Sequence, residues 1–136
     1  MHAVTIHDVR EINGGRLLAF DLLDILKLYE LEVGTSSWEY RNVWCIGRDG
    51  NELSLGTETA NTLTGTEILR FASEVQQTID GEFVGTRKGE SRPWLIVVAE
   101  DSTYYVVVVR NAQLLERVKK RFTDVRISPE WAKQYA

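Results

Sequence analysis

Two stretches of this chain, residues 94–99 (WLIVVA) and 104–109 (YYVVVV), are apolar at nearly every position instead of every second one. A strand with one wet face alternates, whereas a strand covered on both faces runs apolar throughout. The pattern therefore predicts an antiparallel hairpin in the middle of a sheet, turning at residues 100–103 (EDST). Residues 38–46 and 52–55 predict a longer and a shorter strand. The Gly47-Arg-Asp-Gly50-Asn51 segment between them is hairpin chemistry, since Asp-Gly accepts positive φ. Residues 3–7, 82–86 and 125–127 predict further short strands, and Asn13-Gly14-Gly15 marks a turn. Residues 56–61 and 87–93 are polar and read as loops.

Helical signals fall between these strands. Thr64 and Glu67 form a capping-box pair, flanked by Leu63 and Ile68 as a hydrophobic staple. Ile68, Ala72, Val75 and Ile79 then make one apolar stripe. It predicts a helix running to Asp80-Gly81, with Gly81 as a left-handed cap. Residues 17–31 are dense in leucine, broken at every third position by Asp21, Asp24, Lys27 and Glu30. They predict a largely buried helix, although residues 29–33 alternate and also fit a strand. Residues 111–122 predict a helix with Leu114, Val118 and Phe122 on one stripe and Glu116–Lys120 as a favourable i,i+4 pair. Ser128-Pro129, an N-cap followed by a first-turn proline, opens a short tail helix carrying Trp131 and Tyr135.

Assembled, these elements predict an α+β fold over residues 1–136 as a single domain: a mostly antiparallel sheet of about five to seven strands, two to three packed helices and a short C-terminal tail helix. Hairpins between single helices do not suit a doubly wound sheet. The 136 residues, 43% hydrophobic and 26% charged, are those of an ordinary globular protein able to bury its own core. No apolar run reaches the roughly 18 residues of a spanning helix, so no membrane segment is expected. Met1 is followed by neither a basic region nor an apolar one, so no signal peptide is expected. Cys45, the only cysteine, cannot form an internal disulfide. Together these features point to the cytoplasm.

Charge is distributed unevenly. Residues 1–109 carry 9 Lys/Arg against 17 Asp/Glu, and residues 110–136 carry 7 against 3. The basic end holds Arg110, Arg117, Lys119, Lys120, Arg121 and Arg126, but the aromatics beside it, Phe122 and Trp131, suit packing better than base stacking. With an acidic body, nucleic acid is not favoured as a partner. Candidate chemistry is sparse. Cys45 lies in an apolar run and reads as a buried, inert thiol. His2 and His7 stand five apart with no partner in zinc spacing. Asp49-Gly-Asn51-Glu52 lacks the oxygen ligand a calcium loop needs at Leu53. No serine or cysteine sits beside a base, and no glycine-rich phosphate loop is present. The carboxylate pairs Asp80/Glu82 and Glu100/Asp101 fall at predicted turns and read as solvated caps. No cofactor, metal or catalytic set is expected.

From Thr64 onward, the landmarks Thr-Gly-Thr-Glu67-Ile-Leu, Ile79-Asp-Gly-Glu-Phe83, Pro93-Trp94, Asp101-Ser102 before an aromatic, and Arg121-Phe122 with Asp124-Val125 resemble a loose group of small bacterial cytosolic proteins. The resemblance spans the C-terminal half and implies a cytosolic α+β domain without assigning an activity. The reading that follows is a non-enzymatic protein-interaction module. Its sharpest form is an inhibitor, antitoxin or immunity-type protein that uses its acidic body to steer towards a basic partner. The alternative is a small-ligand binder with a pocket between sheet and helix; a catalytic site converging from separated residues is a third. Trp44 and Trp94 are placed in the core. The candidate contact residues are Trp38, Glu39, Asp80, Glu82 and Trp131. A sheet of this width with few helices also leaves part of the hairpin or the tail helix as a surface for a partner or a second copy.

Overall fold

The computed structural model describes residues 1–55 and 61–136; most of the loop expected over 56–61 lies outside these. The central hairpin is β8 (Leu95–Glu100) and β9 (Tyr104–Val109). On one side it continues through β1 (His2–Ile6) to β10 (Val125–Ile127) at the edge. On the other it meets β7 (Val75–Arg87), then β4 (Ser36–Gly47). The far edge of β4 carries two short strands, β5 (Glu52–Leu53) and β6 (Thr62–Thr64). All pairings among the described strands are antiparallel. The hairpin is thus central, as its two-faced apolar pattern requires. A separate two-stranded hairpin, β2 (Val9–Ile12) and β3 (Gly15–Leu18), stands apart from this sheet.

The two faces are covered differently. Four helices pack on one: α1 (Leu22–Lys27), α2 (Glu30–Gly34), α3 (Gly65–Glu74) and α4 (Leu115–Arg121), the last preceded by a 3₁₀ turn at Ala112–Leu114. They bury Val97, Val107, Val109, Phe83 and Trp94 with Leu22, Leu26, Ile68 and Val118. Over the opposite face, among the described residues, lies only the helix α5 (Pro129–Gln134). Ala3, Ile96, Val98, Val106 and Val108 are buried there, with Trp131, Ala132 and Tyr135 packed against them. The outer face of the β8–β9 hairpin, expected as a surface for association, is therefore closed by the chain's own tail. Among the described residues no helix is long and apolar enough to cross a membrane.

Three expectations are corrected. Leu17 and Leu18 belong to β3, not to a helix, because Asn13 (φ +51°) and Gly14 (φ +80°) close a tight hairpin before them. The helix starts at Leu22, where Asp21 caps it and Asp24 returns the bond, accepting from the Asp21 amide at 2.9 Å. Two of the four charges spaced by three, Asp21 and Asp24, are thus a capping box. A break near Tyr29 then separates α1 from α2. The helix opened by Thr64 ends at Glu74, and Val75 already belongs to β7. Gly81 is not a left-handed cap but a mid-strand residue; a Cβ there would come within 3.0 Å of the Phe83 ring. Finally, Glu116 pairs with Lys119 at 3.3 Å instead of Lys120.

Candidate functional site

Along β4, Trp38 and Tyr40 point towards the helices and Glu39 and Arg41 away from them. Asn42 interrupts this alternation with a positive φ of +52°. Between Arg41↔Glu82 and Trp44↔Asp80 the pairing gains one residue on β4, a β-bulge. Because side chains alternate with period two, one extra residue exchanges the faces of everything after it. Val43 and Cys45 consequently turn inward, and Trp44 turns outward with 49% of its surface exposed. The expectation that Trp44 lies in the core is thus corrected, while Trp94 is buried as expected.

Trp44 stands on the part of the outer face that α5 does not reach. Directly opposite is Asp80, and one row along β7 is Glu82, paired with Arg41. Arg41 bridges two acids, at 3.1 Å to Glu82 and 3.4 Å to Glu39. The other Glu82 oxygen accepts from the Tyr135 hydroxyl of α5, whose Trp131 ring stacks on Tyr135 at 6.5 Å. Asp80 accepts the Asp101 amide at 2.9 Å, which holds the β8–β9 turn, where Asp101 and Ser102 both have positive φ. Glu100 lies between them; burial, then the charges of Asp80 and Asp101, push its carboxyl above the usual range. Five acids with one arginine and one half-exposed tryptophan thus share this surface.

Of the five candidate contact residues, the structure gathers Glu39, Asp80 and Glu82 on this face and sets Trp131 at its margin, half-buried under its own helix. Trp38 is withdrawn from it. Its ring is 1% exposed, lies on Gly85 so closely that a Cβ there would come within 2.7 Å, and donates through Nε1 to the Val33 carbonyl at 3.1 Å. Trp38 thus anchors β4 to the core instead of offering itself to a partner. Residue reasoning missed Trp44. The only local signal was Asn42, a residue that tolerates the left-handed region inside an otherwise regular strand.

The basic C-terminal segment is largely neutralised at home. Arg117 pairs with Glu32 at 3.1 Å and donates to the Leu28 carbonyl at 2.8 Å, and Arg121 lies 3.6 Å from Asp24. The positive face of α4 thus rests against the acidic α1 and α2. Arg126 pairs with Asp124 at 3.0 Å and Arg110 with Glu90 at 3.4 Å. Glu58, one of the 17 acids of residues 1–109, lies outside the described residues. Cys45 is buried beside Thr78, 3.6 Å away, and burial pushes its thiol up to about 11. At neutral pH it is a protonated core group, not a nucleophile. His7 bonds Thr5 at 2.8 Å and stacks on Tyr104 at 5.1 Å, while His2 is exposed. Compared with known protein families, with curated proteins and with solved structures, the chain matches none.

Proposed function

We propose that this protein is a non-enzymatic interaction module that docks a basic protein partner on the outer face of β4 and β7. The observation that carries this reading is Trp44, half-exposed among Glu39, Asp80, Glu82 and Glu100. A tryptophan that a bulge turns out of the core onto an acidic sheet face is the kind of anchor that dominates interfaces. The like charges around Glu100 are incompletely compensated, and a basic side chain from a partner would relieve them. An inhibitor, antitoxin or immunity-type role is the specific form of this proposal. The test is reconstitution with the purified protein captured from the host. Trp44→Ala should weaken binding about tenfold or more. Raising salt above about 0.15 M should weaken it further. Binding unchanged by Trp44→Ala would overturn the reading. So would micromolar binding of a short duplex at that salt, lost on Lys120→Glu and Arg121→Glu.

A further inference from the structure

The second surface feature lies at the start of β7, on the helix-bearing side of the sheet, where the separate β2–β3 hairpin leans over the start of α1. A cleft of about 90 Å³ opens there. Among the described residues, the charged ones lining this part are Arg10, from the hairpin, and Asp21, the cap of α1. These opposite charges do not meet: among the described residues Arg10 has no acid partner and Asp21 has no cation within ion-pair distance. Asp21 is nevertheless fixed. It accepts from the Tyr105 hydroxyl, from the Leu22 amide at 2.8 Å and from the Thr78 amide at 3.0 Å. The Asp24 amide and the Thr78 side chain bond the same carboxylate, so a ligand cation would share it with these neutral donors. Burial holds the carboxyl above its ordinary range. A partly buried carboxylate with no counter-ion is costly, and a bound cation would offset that cost.

The remaining walls divide by chemistry. Leu17, Leu18 and Phe20 supply an apolar side; Gln76 and Ser102 supply neutral hydrogen-bonding groups. The cleft continues into a second lobe of about 280 Å³ that shares Arg10, Asp21 and Gln76 and adds the charged Asp24 and Arg48, which already bond Arg121 and the Ser73 carbonyl. The flap itself exposes Val9 (46%), Leu17 (43%) and Ile12 (40%). Leu18 packs the hairpin on the core, and a ligand held beneath the hairpin would add to that contact.

From this juxtaposition we infer that the cleft between the β2–β3 hairpin and α1 binds a small zwitterion, a free aliphatic α-amino acid. Its ammonium meets Asp21, its carboxylate meets Arg10, and its side chain lies against Leu17, Leu18 and Phe20. The cleft opens on the helix-bearing side of the sheet, whereas Trp44 lies on the other face, so the ligand is distinct from the docked partner.

The test is a titration of the full chain with valine, isobutylamine (amine without carboxylate) and 3-methylbutanoate (carboxylate without amine), followed by amide NMR. Valine should shift Gln76, Thr78 and Ser102, and each singly charged analogue should bind about tenfold more weakly or worse. Asp21→Asn should abolish valine binding. Because Asp21 also caps α1, Arg10→Met on the exposed hairpin is the second variant. It should weaken valine about tenfold and leave isobutylamine unchanged. Absence of shifts at about 10 mM valine, equal affinity for all three probes, or a valine affinity indifferent to Arg10→Met would overturn the assignment.

Discussion

At the residue scale, Asn42 decides more than its position suggests. Its positive φ creates the bulge that sends Trp44 out and Cys45 in. A branched residue pays a steric penalty in the left-handed region that asparagine largely escapes and glycine avoids. Asn42→Gly should leave stability nearly unchanged, and Asn42→Val should cost about 1–2 kcal/mol, read by urea denaturation. The two tryptophans of β4 give the complementary contrast. Trp44→Ala should change stability by no more than about 0.5 kcal/mol. Trp38→Ala, which empties a core site over Gly85, should cost about 3–5 kcal/mol. Equal losses would mean that Trp44 is also a core residue.

At the element scale, the β8–β9 hairpin is the spine of the molecule, and its burial on both faces comes from unlike sources. Val107 faces four helices and is fully buried. Val107→Asp would place an unpaired charge there and should cost several kcal/mol, shown by loss of cooperative melting. Among the described residues, the outer face of this hairpin is covered by a six-residue helix. Removing residues 129–136 should leave the core beneath α1–α4 assembled but uncover Ile96, Val98, Val106 and Val108. Apolar patches of that kind associate, so light scattering should show oligomers where the whole chain shows none. The boundaries of α1 and α3 show how far element identity was legible. Thr64 and Glu67 marked a helix start correctly because a capping box is local chemistry. The end of that helix was not legible, because Val75 and Ile79 fit a helical stripe as well as a strand. Pairing with β4 chose between them.

At the scale of the whole molecule, the sequence's split between acidic body and basic end largely folds away, since α4 lays its arginines on the acids of α1 and α2. The acidic group left least compensated surrounds the β8–β9 turn. Glu100 has a folded pKa raised above its ordinary value of 4.5. Protonated Glu100 thus favours the folded state, a contribution complete below the ordinary value and lost as pH rises through the raised one. Glu100→Gln removes the cost of that charge. It should therefore raise the Tm near pH 7, with the difference closing by about pH 4, measured by scanning calorimetry. A difference of the same size at both pH values would show that packing, not charge, is responsible.

What the sequence determined by itself was local or periodic. The two-faced apolar runs required a central hairpin, Asp49-Gly50 and Asn13-Gly14 required turns, and Thr64, Ser128 and Pro129 set helix starts. Each follows from the backbone's own geometry or from the burial of one short segment. Tertiary structure decided the rest. A single bulged residue exchanged the faces of β4, so the tryptophan at the surface is Trp44 and the one in the core is Trp38. Strand pairing converted the end of a helical stripe into β7. The cleft that sets Arg10 and Asp21 beside Thr78 and Ser102, and the face that joins Trp44 to Asp80, bring together residues far apart in the chain. No local pattern records such distances, because they depend on register and packing, in which one residue's shift moves a whole face.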